Sequence, residues 1–485
     1  MNRPTPNPAP EAPFAGDAPD RLTALLQDLR ENKLPRSSLE GEVDRLFNQC
    51  ALSVSAVHTA LIGAPFPIHR KHRQLARSLQ KLLATMASIL EEAGGECSAH
   101  TSPQQRATTF LAQHHALRIL SWHLLTSYLS ATPATKGIWQ LLHTYYARTV
   151  ELGLDEHTAK GVPASPRQIY YTTVLLGCAQ PSSFNSREIA FVADYLEIFS
   201  DQTDTGQERS IDLPAAFWLD TTCDAPATAC ARKRPPAGTT ARYFSCERIT
   251  ELLKNQIDAL DSGIQPAQLG IPEFAATSAG QGVLRRLLNH WGNPGKRRFP
   301  RRRLNYRVTL CTGLDNLWPL LCANSAPQIE TSSWMIVNES PDGYALMHIL
   351  GSTGQIAIGD IAAIRTETGN TWQICIVRWV ISENQEHVEI GLQIIAPRSL
   401  PAQLIQTDGS GEERRFRALL LPEIPALRSS EMLVVPSGTA TNSSNRLFLI
   451  IEKDNLEIRE IRNTGISEQN GQIEVFRIDP DYLSD

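Results

Sequence analysis

The chain has 485 residues, a formal net charge of -5, 42% hydrophobic residues and 20% charged ones. That length exceeds one ordinary domain, the composition is that of a globular protein with sizeable cores, and the acidic balance argues against a general nucleic-acid binder. Apolar runs such as "LTALL" and "LLATMASIL" fall far short of the roughly 20 residues a bilayer-spanning helix needs.

Residues 1–20, "MNRPTPNPAPEAPFAGDAPD", are rich in Pro and Ala and carry no apolar h-region. They are expected to form a disordered leader rather than a secretory signal, which makes the cytoplasm the expected location. From about Arg21 the pattern turns helical. In "SSLEGEVDRLF", Ser37 and Glu40 have capping-box spacing. "HRQLARSLQKLLATMASILEEAGG" repeats apolar residues at Leu75, Leu79, Leu82, Leu83, Met86, Ile89 and Leu90. Leu117, Leu120, Leu124 and Tyr128 form a second stripe, Ile138, Leu141, Leu142 and Tyr145 a third. "NSREIAFVADYLEIF" begins at a polar cap. No fixed repeat period emerges, so residues 21–292 read as a helical scaffold domain. Within it "CDAPATACARKRPPAGTTAR" is expected to be a loop.

After Pro294 the hydrophobic period changes. "RVTLCTG", "SWMIVNES", "GYALMHI", "IAAIRTE", "TWQICIVRWVI" and "HVEIGLQIIA" are short β-type runs between turn residues. A second set follows from about Arg414: "RFRALLL", "EMLVVP", "RLFLIIE", "LEIREIRNTG" and "QIEVFRID". The expected architecture is an α+β multidomain chain: an α-helical N-terminal half, a small β-barrel over 295–400 and a second small β-rich domain over 410–480.

Nine cysteines stand singly, which gives neither a zinc-ligand spacing nor a disulfide framework. His69 and His72, and His114, His115 and His123, lack acidic or thiol partners in register. They read as packed or surface imidazoles rather than metal ligands. No catalytic motif is present, so no catalytic residue, metal or cofactor is assigned and the chain is expected not to be an enzyme.

The chemistry concentrates at "KRRFPRRRLNYRV", Lys296 to Val308, with seven basic residues in an acidic chain. Arg303 and Arg307 lie four apart just ahead of a β-run, interleaved with Phe299 and Tyr306. About thirty residues on stands "NESPDG", with Asn338, Ser340 and Gly343. Alone, the second stretch is an ordinary turn, and the first is a solvated charge cluster able to bind any polyanion.

Together they resemble the PilZ domain, the bacterial receptor module for cyclic di-GMP, whose signature is RxxxR followed by [D/N]xSxxG. Both halves match: Arg303-Leu-Asn-Tyr-Arg307 and Asn338-Glu-Ser340-Pro-Asp-Gly343. "VRWV" and "IGLQI" look like the family's closing strands. The resemblance covers about residues 295–400, and the helical half carries none. It implies cyclic di-GMP as ligand, held by Arg302, Arg303, Arg307, Asn338, Ser340 and Gly343, with Arg298 and Arg301 as candidate extra phosphate contacts. The expected function is an effector that passes ligand binding to a protein partner through the helical half, and the short apolar runs give no membrane insertion. The competing reading is a scaffold that binds RNA or DNA through residues 296–307.

Overall fold

The computed structural model describes residues 18–31, 36–94, 103–159, 164–205, 215–295, 299–322, 329–350, 353, 356–383, 387–407, 413–424, 430–439, 446–452 and 456–480. The leader expected over 1–20 lies outside them except for its last three residues.

The chain forms two compact units. The first draws on Met1–Ile62, Arg70–Ser130 and Thr135–Tyr170. It contains α1 (Ala18–Glu31), α2 (Arg36–Leu61), α3 (Arg70–Gly94), α4 (Pro103–Leu129), α5 (Ile138–Glu151) and the start of α6 (Pro166–Cys178). The stripe expected on α3 is the core: Leu79, Leu82, Leu83 and Met86 are fully buried against α1, α2 and α4. Because α2 opens at Arg36, Ser37 lies inside its first turn and is not the N-cap.

The α4 imidazoles are buried, and His114 and His115 are hydrogen-bonded. His115 Nε2 lies 2.9 Å from Asp44 Oδ1 and its ring stacks on Phe47. His114 Nε2 lies 3.0 Å from the Ala164 carbonyl. Among the described residues no group of three or more His, Cys, Asp or Glu could hold a metal ion.

Burial pushes His58, His114 and His123 down to about 4. The folded unit therefore binds fewer protons than the unfolded chain below pH 6.5, and stability is lost as pH falls from 6.5 toward 4. Each imidazole contributes up to about 1.4 kcal/mol per pH unit in that window. We expect the thermal midpoint of the helical circular dichroism signal to fall steadily from pH 7 to pH 5; a flat profile refutes the assignment.

The second unit draws on Gly63–His69, Ala131–Ala134 and Tyr171–Asp485. It begins with the end of α6 and with α7 (Ser186–Phe199), where Asn185 and Glu188 complete the expected cap as a reciprocal capping box. A small antiparallel sheet follows, made of β1 (Asp204–Thr205), β2 (Ala216–Asp220), β3 (Thr228–Ala229) and β4 (Ala241–Ser245) in the order β1-β4-β2-β3. The stretch expected to be a loop thus supplies β3 and the start of β4. Phe217 and Phe244 stack between β2 and β4, which explains why so short a sheet forms. Two more helices, α8 (Glu247–Asp261) and α9 (Ser278–Gly292), complete the helical part.

Two barrels follow. The first comprises β5 (Arg302–Arg303), β6 (Arg307–Thr312), β7 (Ser332–Ser340), β8 (Gly343–Leu350), β9 (Ile361–Thr366), β10 (Gln373–Ser382) and β11 (Val388–Ala396), with helix α10 (Leu314–Leu321) after β6. Its ring runs β7-β6-β9-β10-β11-β8 and closes through β8 and β7. Val308, Trp334, Ile336, Leu346, Val377 and Ile390 fill it. The second barrel closes in the order β12 (Leu400–Thr407), β13 (Glu413–Leu421), β14 (Glu431–Pro436), β17 (Ile473–Pro480), β16 (Leu456–Gln469) and β15 (Arg446–Glu452).

The barrels share a core. Cys311, Leu317, Ile361, Ile374 and Ile376 of the first pack against Leu419, Leu421, Val434, Ile473 and Val475 of the second. On α10, the Trp318 indole N–H donates to the Ala402 carbonyl at 2.8 Å. This contact covers the outer wall of β6, β9, the start of β10 and the end of β11 at Ala396, and leaves the wall of β5, β7, β8 and the rest of β11 clear of it.

Candidate ligand site

β5 and β6 run along the same edge of β7. Arg303 pairs with Asn338 and Arg307 with Met335, so three residues, Leu304 to Tyr306, face only Ile336 and Val337. That mismatch is a bulge. It is pinned by the Ile336 N–H donating to the Tyr306 carbonyl at 3.0 Å. A second irregularity between Ile336 and Asn338 re-phases β7 against β8, opposing Asn338 to Ala345. Since Trp334, Ile336 and Leu346 point into the core, alternation turns Arg303, Arg307 and Asn338 to the outer wall.

The RxxxR segment is therefore already strand-paired with the strand that carries the second motif. Arg302, Arg303 and Arg307 are exposed. Among the described residues, no ion pair or side-chain hydrogen bond involves any of the three. Arg301 is exposed as well, and Arg298 lies outside the described residues.

Register extends this row across the wall. Asn338 opposes Ala345, Ala345 opposes Gly391, and Gly391 opposes Trp379 on β10. Two small residues thus make a floor between Asn338 and an indole. Trp379 lies directly over Gly391, where a Cβ would come within 1.8 Å of its Nε1. Nothing in the sequence marked Ala345, Gly391 or Trp379, because only strand register brings them beside Asn338.

The remaining motif residues form the β7–β8 turn. The Ser340 hydroxyl donates to Asp342 Oδ1 at 2.5 Å. Gly343 pairs with both Ser340 and Gln393, and a Cβ on it would meet the Leu392 carbonyl oxygen at 2.2 Å. Its missing side chain makes room for the β11 backbone.

Behind Trp379 a cavity of about 350 Å³ is lined by Gln180, Arg286 and His290 from the helical segment, and by Arg378, Trp379 and Glu468. Arg378 joins its walls: Nε donates to Gln393 Oε1 at 2.6 Å, and Nη2 pairs with Glu468 Oε2 at 2.8 Å. Arg286 pairs with the buried Glu188 at 2.5 Å. Burial raises the Glu188 carboxyl above its usual range against the opposing pull of Arg286. Burial and the nearby Arg286 and Arg232 guanidiniums push His290 down to about 4, so it is neutral at pH 7.

A barrel with these two motifs on one wall resembles a PilZ domain, and residues 321–401 match the family model described as the middle PilZ domain of the cyclic-di-GMP receptor FimW. That match contains Asn338, Ser340 and Gly343 and starts after the arginines. Residues 11–208, in the helical half where no resemblance was expected, match the model for the N-terminal domain of the same receptor. Over 446 residues the chain is 22% identical to the cyclic-di-GMP receptor FimW of Pseudomonas aeruginosa, covering 76% of this chain and 72% of that protein. No solved structure matches. Among the described residues no helix is long and apolar enough to cross a membrane.

Proposed function

We propose that this chain is a receptor for cyclic di-GMP, binding it on the outer wall of the first barrel with Arg303, Arg307, Asn338 and Ser340. The observation that carries this reading is the register of Arg303 against Asn338: two motifs about thirty residues apart meet in one row, with the guanidiniums of the first exposed and, among the described residues, unpaired. Similarity to a protein named as a cyclic di-GMP receptor supports it.

The ligand's chemistry suits the wall. Guanine offers O6 and N7 to a guanidinium fork, and each phosphate accepts a bidentate pair of N–H donors. Arg302 adds a third fork at the rim, with Arg298 and Arg301 as supplementary phosphate contacts. The Asn338 amide meets a base edge, and the Ser340 oxygen keeps a free lone pair while its proton goes to Asp342. Gly391 lets the Trp379 indole lie flat on the wall, and the small Ala345 beside it leaves room for a flat base that can stack on that ring. Gly343 serves by letting β8 lie against β11. The chemistry is recognition, with no catalytic step and no cofactor.

Output runs through the helical part to a partner protein. Trp379 borders both the floor and the cavity lined by α9, so a ligand that moves the indole also bears on Arg378, Glu468 and Arg286. Such coupling between sites is typically about 1–3 kcal/mol.

Calorimetric titration with cyclic di-GMP, with GTP and cyclic GMP as controls, tests the reading. We expect saturable binding of the cyclic dinucleotide and weak or no binding of the controls. Equal binding of all three with steep salt dependence would instead mark a general polyanion surface.

A further inference from the structure

We propose that Tyr306 keeps the Glu339 carboxylate off Arg302, leaving that guanidinium free for the anionic ligand. The inference rests on the receptor reading above and concerns the two positions that the paired motifs leave open: Tyr306 precedes Arg307, and Glu339 stands between Asn338 and Ser340.

Arg302 and Glu339 are direct cross-strand partners. Opposite residues of an antiparallel pair share a side of the sheet, and opposite charges there attract. An Arg302–Glu339 ion pair is therefore the expected local outcome, and it is absent. The Glu339 carboxylate accepts instead from the Tyr306 hydroxyl, at 2.7 Å. The Tyr306 ring is half-buried against the first barrel's core, and its carbonyl is tied to the Ile336 N–H. The hydroxyl is thus presented from a fixed ring, whereas Arg302 reaches from an exposed, flexible stem. The carboxylate's alternative is a solvent-screened pair, which is weak.

Arg302 and Glu339 stand one residue along from the Arg303–Asn338 pair and so face the other side of the sheet, which means that Arg302 joins the ligand only by reaching round the rim. Without Tyr306 the carboxylate is free to hold that guanidinium back. The hydroxyl prevents this while adding no charge of its own.

The test is a titration series with cyclic di-GMP on the full chain. Tyr306→Phe retains the ring and removes the donor, and binding should weaken about three- to fivefold, the upper scale of one exposed ion pair. Adding Glu339→Gln to that variant should restore affinity to within about twofold of the parent, and Glu339→Gln alone should bind as tightly as the parent or more so. A purely structural role for the Tyr306–Glu339 bond cannot give this rescue, because removing both partners would leave binding as weak as removing one. Unchanged affinity in Tyr306→Phe, or a double variant no better than Tyr306→Phe, overturns the proposal. Should Tyr306→Phe not fold, Glu339→Gln alone decides, since weakened binding there overturns it too. A parent chain that binds no cyclic di-GMP refutes the receptor reading before any variant is measured.

Discussion

Alanine at Arg303 or at Arg307 is expected to weaken cyclic di-GMP binding tenfold or more in each case, while leaving thermal stability unchanged. Hydrogen bonds to charged groups contribute about 1.5–3 kcal/mol, and every 1.4 kcal/mol or so is a factor of ten in affinity. Both side chains are exposed and make no ion pair or side-chain hydrogen bond among the described residues. Their removal therefore leaves no buried group orphaned. Lysine at either position keeps the charge without the planar fork, so it should recover only part of the loss. Titration beside thermal unfolding separates the two quantities. Normal binding by both alanine variants would refute the site.

Gly343→Ala is expected to do the opposite, losing stability and binding together. Its new Cβ would stand 2.2 Å from the Leu392 carbonyl oxygen, which belongs to backbone and cannot swing aside. β8 and β11 must part at the Gly343–Gln393 pair, at a cost of about 1–3 kcal/mol. The floor of the site loses its shape as the strands separate. Thermal unfolding of the unliganded variant measures the first effect, and titration well below its midpoint measures the second. Full stability with binding lost would mean that the glycine faces the ligand rather than β11.

The two glycines of this wall indicate how far sequence reasoning reaches. Gly343 was legible as part of a motif, but its close approach to the Leu392 carbonyl of β11 was not. Gly391 was invisible, because its significance lies in Trp379 twelve residues away on the neighbouring strand. Helices of the first unit were readable because one face is apolar at a period near 3.6, as on α3. The change from helices to barrels was readable because the period drops to two after Pro294.

Three elements were missed for identifiable reasons. β12 carries Pro401, Gln403 and Gln406, which break an apolar run; Gln406 is nevertheless buried, its amide donating to the Thr439 carbonyl at 3.0 Å. α10 is a single short helix with Pro319 inside it. The small sheet has two strands of only two residues each. At the site, both halves of the motif pair were visible in the sequence, but the Tyr306–Glu339 bond occupies positions that the pattern leaves free.

The core shared by the two barrels has a practical consequence for anyone dissecting this chain. A fragment ending near residue 400 would turn Cys311, Leu317, Ile361, Ile374 and Ile376 out to water, an apolar patch of the kind that drives aggregation. It would also strip the Trp318 indole of its acceptor on β12. The smallest fragment that keeps this core intact is therefore the barrel pair, carried through to the end of β17, and the second barrel acts as the solvent-excluding back of the first. Substitutions on β13, β14 or β17 at this seam should behave as core substitutions of the first barrel, although none of those strands carries a residue of the proposed site.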